Sequence, residues 1–377
     1  MPPTIGGLVD YLFVPRLDTR VENEHFQQEL ISAMTRVLDS GQYIGGPEVE
    51  SFEHEVSNFL GVEHAIGVAS GTDALTIALL AIVGIEAQDG EVITSPVSYC
   101  ATGSAILRAG LQPRFVDIDE ESFNLSPELV EAAIGPEIRA VLPVDLYGRV
   151  AEIAQIRLAA GNRPVIEDAC QAFGAKTPTN EFAGTLSNVT AFSFFPSKPL
   201  GGYGDGGLVV TRDSNVADLV RIIARHGSRE RYYSEFPGFN SRLDALQAAL
   251  LRVKLSRVKS ARLQRTHIAR CYQEELKDLT WLRLPQDVEG HAWHCFTIRV
   301  LNNKREHLIR YLKDRGIEVV VQYPAPLHWM PPFKTGQCLP IAEQLCSELL
   351  CLPIWAGMSD AQINHVIQAV RFAGKMI

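Results

Sequence analysis

The first sixty residues carry the periodicity of amphipathic helices. Residues 22–40 place apolar side chains at helical spacing and stop at Gly41, a residue typical of a helix C-terminus. A second helix is predicted to begin at Pro47 and to end before Gly61, in the proline-first, glycine-last order of helices. These two helices precede a stretch of different character.

Short apolar runs then alternate with helical segments. Strands are predicted at residues 64–69, 91–94, 113–118, 140–144 and 164–168, with helices at 72–83, at 101–109 and after Ser126. Such alternation predicts a mostly parallel sheet that is covered on both faces and joined by right-handed crossovers. Ligands of such folds bind at the carboxyl ends of the strands.

The alternation loosens after about residue 250. A long helix is predicted at residues 245–279, and a strand at 294–300, a helix at 304–315, a strand at 318–321 and a last helix at 360–372 follow. We therefore expect a large α/β domain with N-terminal helices, residues 1–250, and a smaller α+β domain, residues 251–377. The proline-rich segment 322–332 is predicted to be an ordered loop because its aromatic side chains disfavour water.

Composition excludes several classes of protein. A net charge of −9 and a pI near 5.6 argue against nucleic acid or an acidic membrane as the main partner. No apolar run reaches the roughly 18 residues of a membrane span, and the N-terminus Met1–Thr4 lacks the features of a signal peptide, so we expect a cytoplasmic protein. The seven cysteines are never spaced as CxxC, which signals neither a disulfide framework nor a metal site.

Three polar features fall at predicted strand ends. In Ser70-Gly71-Thr72 a strand passes into a helix whose N-terminus suits a phosphate, although a simple capping turn explains this feature equally well. Glu167 and Asp168 end a buried strand, so at least one carboxylate needs a cationic or N–H partner. Each feature is weak by itself.

The third feature is Lys198, which follows an alternating strand and precedes five glycines in positions 201–207. A lone lysine on a glycine-rich hairpin is usually solvated surface. Together with an aspartate and a phosphate-binding helix start, however, the lysine fits pyridoxal phosphate: the amine binds the aldehyde, the aspartate pairs with the pyridinium nitrogen, and the helix N-terminus holds the phosphate.

Nearly the whole chain resembles the DegT/DnrJ/StrS family of nucleotide-sugar aminotransferases. The motifs that carry this resemblance are Gly41–Pro47, Ala69–Leu75, Val165–Ala169, Ser193–Gly207, Arg225–Gly227, Asn240–Asp244 and Tyr323-Pro324. The resemblance implies the aspartate aminotransferase-like architecture, which is fold type I of the pyridoxal phosphate enzymes, and it implies pyridoxal 5'-phosphate as cofactor.

The resemblance also implies roles for residues around the cofactor ring. Lys198 would bind the aldehyde and carry the proton, and Asp168 would pair with the pyridinium nitrogen. Gln171 would lie near the ring hydroxyl, and Tyr99 would stack on the ring face.

A further set is implied for the cofactor phosphate. Gly71, Thr72 and Ser193 would bind it from within the chain, and Asn240 would reach the phosphate of the neighbouring subunit. This last contact implies a homodimer with shared active sites.

The reaction implied is transamination. Relatives that deoxygenate sugars carry histidine in place of Lys198, so the lysine favours amination of a keto-sugar, with glutamate as the expected donor. Asp205 and the segments Val144–Gly148 and Arg225–Tyr233 are similar to enzymes that aminate C3 of UDP-linked 2-acetamido-3-keto-glucuronic acid in surface-polysaccharide pathways. A dTDP-linked 3- or 4-keto-6-deoxy sugar, a keto-cyclitol, and a pyridoxal phosphate sensor without turnover remain alternatives.

Substrate residues are implied less directly. Arg229, Arg231 and Arg242 lie in segments that the family places near the site, and guanidinium groups suit a diphosphate or a carboxylate. Solvated loop arginines explain Arg229 and Arg231 equally well, and explain Arg242 less well. Gln322 precedes Tyr323 where many relatives have histidine. The stretch around Trp355 also departs from the usual family form.

Overall fold

The computed structural model describes residues 12–86 and 89–374, so the N-terminus on which the targeting expectation rests lies outside the described residues. The helices are α1 (Thr19–Glu24), α2 (Gln27–Ser40), α3 (Pro47–Leu60), α4 (Gly71–Val83), α5 (Cys100–Arg108), α6 (Pro127–Ala133), α7 (Ile153–Ala160), α8 (Ser214–Ala224), α9 (Ala245–Leu255), α10 (Val258–Leu276), α11 (Arg305–Lys313), α12 (Pro340–Glu348) and α13 (Asp360–Ala373). Short 3-10 turns lie at Leu146–Gly148, Leu327–Trp329 and Pro331–Phe333.

The strands form one large sheet and one small sheet. They are β1 (His64–Val68), β2 (Glu91–Thr94), β3 (Gln112–Phe115), β4 (Ile138–Leu142), β5 (Ile166–Asp168), β6 (Val189–Ser193), β7 (Gly207–Thr211), β8 (Leu282–Arg283), β9 (Phe296–Val300) and β10 (Leu349–Leu352). Strands β1-β7-β6-β5 and β3-β2-β4 are joined through single parallel bridges, Val141 to Val165 and Val144 to Asp168. The order β1-β7-β6-β5-β4-β2-β3 follows, and only the pairs involving β7 are antiparallel. The predicted mostly parallel sheet is confirmed.

Helix α4 lies at the centre of the large layer. Its sequence is apolar on nearly every side, and it packs against β6, β7, α5 and α8. Helices α2, α3 and α9 pack together on the other side of this sheet, in a separate core that includes Phe52, Phe192 and Phe194. A third core joins the sheet β10-β9-β8 to α10, α11 and α13. Residue 250 lies within α9, and the division into domains at that point stays a prediction.

Three predicted elements differ in the structure. The single helix at 22–40 is two helices, because Phe26 has a non-helical backbone (φ −139°, ψ 28°) and buries its ring. The helix at 245–279 is broken between α9 and α10, and buried residues on both sides of the break continue the apolar pattern that predicted one helix. The predicted strand at 318–321 makes only one bridge, between Val320 and Cys351, because Glu318 donates its N–H to Val14 instead.

No helix among residues 12–86 and 89–374 is both long and apolar enough to cross a membrane.

Candidate active site

Asp168 ends β5 with a carboxylate that is held from two sides. Its side chain is buried, with the residue 4% exposed. Oδ2 accepts a hydrogen bond from the Thr102 hydroxyl on α5 at 2.8 Å, and Oδ1 accepts one from the N–H of Cys170 at 3.2 Å. These bonds fix the direction of the carboxylate.

Glu167 points to the opposite face of β5, as the alternation of a strand requires. It accepts hydrogen bonds from the N–H of Gly184 at 2.9 Å and from the Thr190 hydroxyl at 3.2 Å. Burial raises the pKa of Glu167, and burial together with the neighbouring Glu167 carboxyl raises the pKa of Asp145 well above its usual range. The protonated form is therefore favoured for this buried pair, most strongly at Asp145. The partners that the sequence led us to expect for the Glu167 and Asp168 carboxylates are N–H and hydroxyl groups.

The N-terminus of α4 lies against the end of β6. Ser70 caps the helix by accepting a hydrogen bond from the N–H of Asp73 at 3.1 Å. A Cβ on Gly71 would lie 2.6 Å from Cβ of Ser193, so glycine is what allows this approach. The N–H groups of Gly71 and Thr72 have no acceptor within the described part of the chain and are available to an anion.

Lys198 is half-buried in the glycine-rich turn between β6 and β7. A Cβ on Gly207 would lie 2.3 Å from the carbonyl oxygen of Ser70, so this turn also touches the start of α4. Burial raises the pKa of the Cys170 thiol and Asp168 raises it further, while the Lys198 ammonium opposes both. The structure thus brings Lys198, Asp168 and the α4 N-terminus to one place, at the carboxyl ends of β5 and β6.

Gln171 connects this place to the loop that contains Tyr323. Its Oε1 accepts a hydrogen bond from the N–H of Tyr147 at 3.0 Å, and its Nε2 donates one to the Tyr323 hydroxyl at 3.3 Å. The Tyr147 hydroxyl donates to the backbone oxygen of Gln322. Tyr99 is 58% exposed, and its ring centroid lies 6.4 Å from that of Tyr323. The side chain of Gln322 accepts from the Cys295 thiol at 3.0 Å.

Four predicted site residues do not join this cluster within one chain. Asn240 is exposed and pairs with Arg225 through a single antiparallel bridge. Arg229 forms an ion pair with Glu235 at 3.3 Å, and the Arg231 guanidinium lies 4.9 Å from the Tyr232 ring centroid. Arg242 is also exposed. None of their contacts within the described residues reaches Lys198 or Asp168.

Two residues of the cluster are absent from the sequence-based prediction. Thr102 holds Asp168 although 66 residues separate them, and Tyr147 supports both Gln171 and the loop at Gln322. The local signal for Thr102 is weak: Ser98, just before α5, lies four residues earlier, and the two hydroxyls bond at 2.8 Å.

The residues present fit pyridoxal phosphate. The α4 N-terminus offers free N–H groups beside the Ser193 hydroxyl, Gly71 leaves the space that a side chain would fill, and Asp168 offers a fixed carboxylate. Lys198 supplies the amine. These roles stay predictions for the individual residues.

Curated relatives cover almost the whole chain. The erythromycin biosynthesis sensory transduction protein EryC1 of Saccharopolyspora erythraea is 40% identical over 95% of this chain and 99% of its own. The dTDP-3-amino-3,4,6-trideoxy-alpha-D-glucose transaminase of Streptomyces venezuelae is 40% identical over 95% of each chain. The UDP-2-acetamido-2-deoxy-3-oxo-D-glucuronate aminotransferase of Pseudomonas aeruginosa is 38% identical over 94% of this chain and 98% of its own.

Solved structures agree. S. venezuelae DesV, in complex with a ketimine intermediate, is 39% identical with a TM-score of 0.92 over 97% of this chain and 99% of that one. NtdA of Bacillus subtilis, with bound cofactor PMP, is 30% identical with a TM-score of 0.90 over 96% of this chain and 85% of that one. The expected fold type I architecture and the expected pyridoxal phosphate cofactor are thereby confirmed. Residues 24–371 match the DegT/DnrJ/EryC1/StrS aminotransferase family, and the chain belongs to this family of pyridoxal phosphate-dependent aminotransferases.

Proposed function

We propose that this aminotransferase moves the amino group of L-glutamate to carbon 3 of a nucleotide-linked keto-sugar in the cytoplasm. The acceptor proposed is a UDP-linked 2-acetamido-3-keto-uronic acid that serves surface-polysaccharide biosynthesis. Carbon 3 is proposed because the S. venezuelae and P. aeruginosa relatives are both named for position 3 of the sugar, although their names give different nucleotides.

The chain's own residues have distinct tasks in this proposal. Bound pyridoxal phosphate supplies the electron sink for loss of the substrate proton. The Lys198 amine moves that proton, and the Asp168 carboxylate, fixed by Thr102 and Cys170, holds a positive charge at the ring nitrogen. The free N–H groups at Gly71 bind the phosphate.

A second subunit completes the site in this proposal. Several large apolar side chains are exposed in the single chain, among them Tyr43, Ile44, Tyr99, Phe195 and Leu246. Asn240, Arg229, Arg231 and Arg242 are exposed as well, which suits a contact with the partner's cofactor for Asn240 and with the diphosphate or uronate carboxylate for the arginines.

A dTDP-linked 3- or 4-keto-6-deoxy sugar is the second candidate acceptor, because the S. venezuelae relative is at least as similar as the P. aeruginosa one. A keto-cyclitol acceptor shares the same cofactor site.

An acceptor screen tests these alternatives. The holoenzyme is given glutamate with UDP-linked and dTDP-linked 3-keto and 4-keto sugars and a keto-cyclitol, and the aminated product is identified by mass spectrometry and NMR. Amination of the UDP-3-keto-uronic acid alone supports the proposal, and selective amination of any other acceptor overturns it. The Lys198→Ala protein should give no product with any acceptor.

The sensor alternative is tested separately, because EryC1 carries a regulatory name. Glutamate alone should convert the bound cofactor to its pyridoxamine form, with release of one 2-oxoglutarate per site. A protein that binds the cofactor but never makes this conversion would favour the sensor.

A further inference from the structure

A small cavity, of about 40 Å³, borders Lys198 on the side of the small sheet. It is bounded by the segment before α1, by the turn around Lys198, by α10 and by the segment that follows β10. The residues of interest are Arg16, Arg265, His294 and Trp355. None of them belongs to the predicted cofactor or sugar sites.

Two buried N–H donors at this cavity have no acceptor. Arg265 is 8% exposed and Trp355 is 2% exposed. The Nε of Arg265 donates to the carbonyl oxygen of Ala292 at 2.9 Å, which fixes the guanidinium, but its Nη2 has no partner within the described residues, and neither has Nε1 of Trp355. Buried donors are nearly always satisfied in folded proteins, so an acceptor bound beside these two residues would satisfy both groups.

The cavity is also positively charged. Burial lowers the pKa of His294 well below its usual range, and the cations of Lys198, Arg265 and Arg16 lower it further, so three cations surround a neutral imidazole. The Arg16 guanidinium has no ion pair within the described residues. The carboxylates that also line the cavity are already paired, Asp18 with Arg20 at 2.8 Å and Glu22 with Lys254 at 3.1 Å.

We propose that this cavity binds a carboxylate of the amino-acid donor, with Arg265 and Trp355 as hydrogen-bond donors and Arg16 as a further cation. This inference rests on the proposed function. At about 40 Å³, the cavity has room for a small group such as one carboxylate and not for a sugar ring, since one water molecule needs roughly 10–15 Å³ of such space. Because the cavity borders Lys198, the amine of a donor bound there would lie beside the Lys198 amine that it must displace.

Binding of an unreactive dicarboxylate tests the proposal without turnover. Maleate is titrated into the holoenzyme by calorimetry. Arg265→Met should weaken maleate binding by about 10- to 100-fold, the range expected for lost hydrogen bonds to a charged group. Trp355→Phe, which keeps the ring and removes only the N–H, should weaken it by about 3- to 10-fold. Arg262→Met, on the same helix but outside the cavity, should bind maleate as the wild type does.

Two half-reactions separate this proposal from the acceptor proposal. In the first, the amino acid gives its amine to the pyridoxal form, one water is taken up, and the carbon skeleton of the amino acid leaves as a 2-oxoacid. In the second, the pyridoxamine form gives the amine to the keto-sugar and water is released. Arg265→Met and Trp355→Phe should raise the KM of the first and leave the second unchanged, whichever keto-sugar is accepted.

The choice of amino donor identifies the carboxylate. An equal loss with L-glutamate and L-alanine assigns the cavity to the α-carboxylate, and a loss with L-glutamate alone assigns it to the side-chain carboxylate. Wild-type maleate binding by Trp355→Phe and Arg265→Met would show that the cavity holds only water and would overturn the proposal. An equal loss in the sugar half-reaction would overturn it too, because the carboxylate would then belong to the acceptor.

Discussion

Thr102 fixes one oxygen of Asp168. A substitution at Thr102 therefore tests how much the direction of that carboxylate contributes to activity. Thr102→Val keeps the side-chain shape and removes the hydroxyl that donates to Oδ2 at 2.8 Å. Because hydrogen bonds to charged groups contribute about 1.5–3 kcal/mol, we expect kcat to fall by about 10- to 100-fold, together with weaker cofactor binding. Steady-state amination and a fluorescence titration with pyridoxal phosphate measure the two effects.

Thr94→Val is the matched control for this substitution. Thr94 is equally buried, and its hydroxyl donates to the carbonyl oxygen of Leu142 at 2.8 Å, away from Asp168. It should lose stability with little change in kcat. If both variants lost the same activity, Thr102 would be a structural residue only.

Asp145 predicts a pH dependence of stability. Burial and Glu167 raise its pKa in the folded protein, so the folded chain holds a proton that the unfolded chain releases. Stability therefore falls as the pH rises from the ordinary aspartate pKa to the raised value. Asp145→Asn cannot lose a proton, keeps the acceptor for the N–H of Ala151, and can donate to Glu167. We expect it to be more stable than the wild type at pH 8 by on the order of 1 kcal/mol, and to show a smaller difference at pH 4. Urea unfolding at the two pH values measures this.

Asp117→Asn is the control for this substitution, and its effect on stability should be the opposite. Both of its oxygens accept backbone N–H groups, from Ile118, Ile341 and Ala342, so an amide there must face a donor. It should lose stability at both pH values. If Asp145→Asn were less stable than the wild type at pH 8, this would contradict a raised pKa of Asp145 in the folded protein.

Local sequence signals point to the residues that are proposed to act directly but not to those that would support them. Lys198, Asp168 and Gly71 are visible because a lysine, a carboxylate and a glycine stand at strand ends, where their chemistry is unusual. Thr102 and Arg265 stand on ordinary helix patterns, and their partners are distant in sequence. Only the fold shows which distant groups meet.

At the scale of elements, periodicity predicted where helices and strands occur better than where they end. Gly41 and Gly61 end α2 and α3 in left-handed conformations, as the sequence indicates. The break between α9 and α10 was not predictable, because Leu255 and Val258 are both buried and no glycine or proline separates them. The prediction of a strand at 318–321 is wrong because Glu318 bonds to Val14, which leaves Val320 as the one residue of this segment that bridges to Cys351.

The close approach of α4 to β6 is the element contact on which the proposed phosphate binding depends. In Gly71→Ala the new Cβ would meet Cβ of Ser193 at 2.6 Å and Sγ of Cys170 at 3.1 Å, so the helix start must move. We expect a loss of about 1–3 kcal/mol in stability and at least a tenfold weaker affinity for pyridoxal phosphate. Thermal unfolding of the apoprotein and a cofactor titration give the two quantities.

Gly135→Ala is the control for this change. Its Cβ would meet only Oε2 of Glu137, the end of a flexible side chain, and the site lies far from α4 in sequence. Its cofactor affinity should equal that of the wild type. An unchanged affinity in Gly71→Ala would show that the phosphate binds elsewhere.

At the scale of the whole molecule, one chain assembles only part of the predicted site. The large sheet positions Lys198 and Asp168, and the segments after β9 and β10 add Tyr323 and Trp355. Asn240 remains exposed and makes no contact with them among the described residues. If the remaining contacts come from a second copy, light scattering at micromolar concentration should give twice 41.6 kDa.

Mixed dimers test whether the sites are shared. Lys198→Ala and Asn240→Ala homodimers should each be inactive or strongly impaired, because every site lacks one group. Unfolding and refolding the two together forms hybrid dimers, in which one site combines the intact Lys198 of one subunit with the intact Asn240 of the other. Random association makes half of the dimers hybrid, so activity should return to about one quarter of wild type. Sites built within single chains would gain nothing from mixing, since each subunit would keep its own defect.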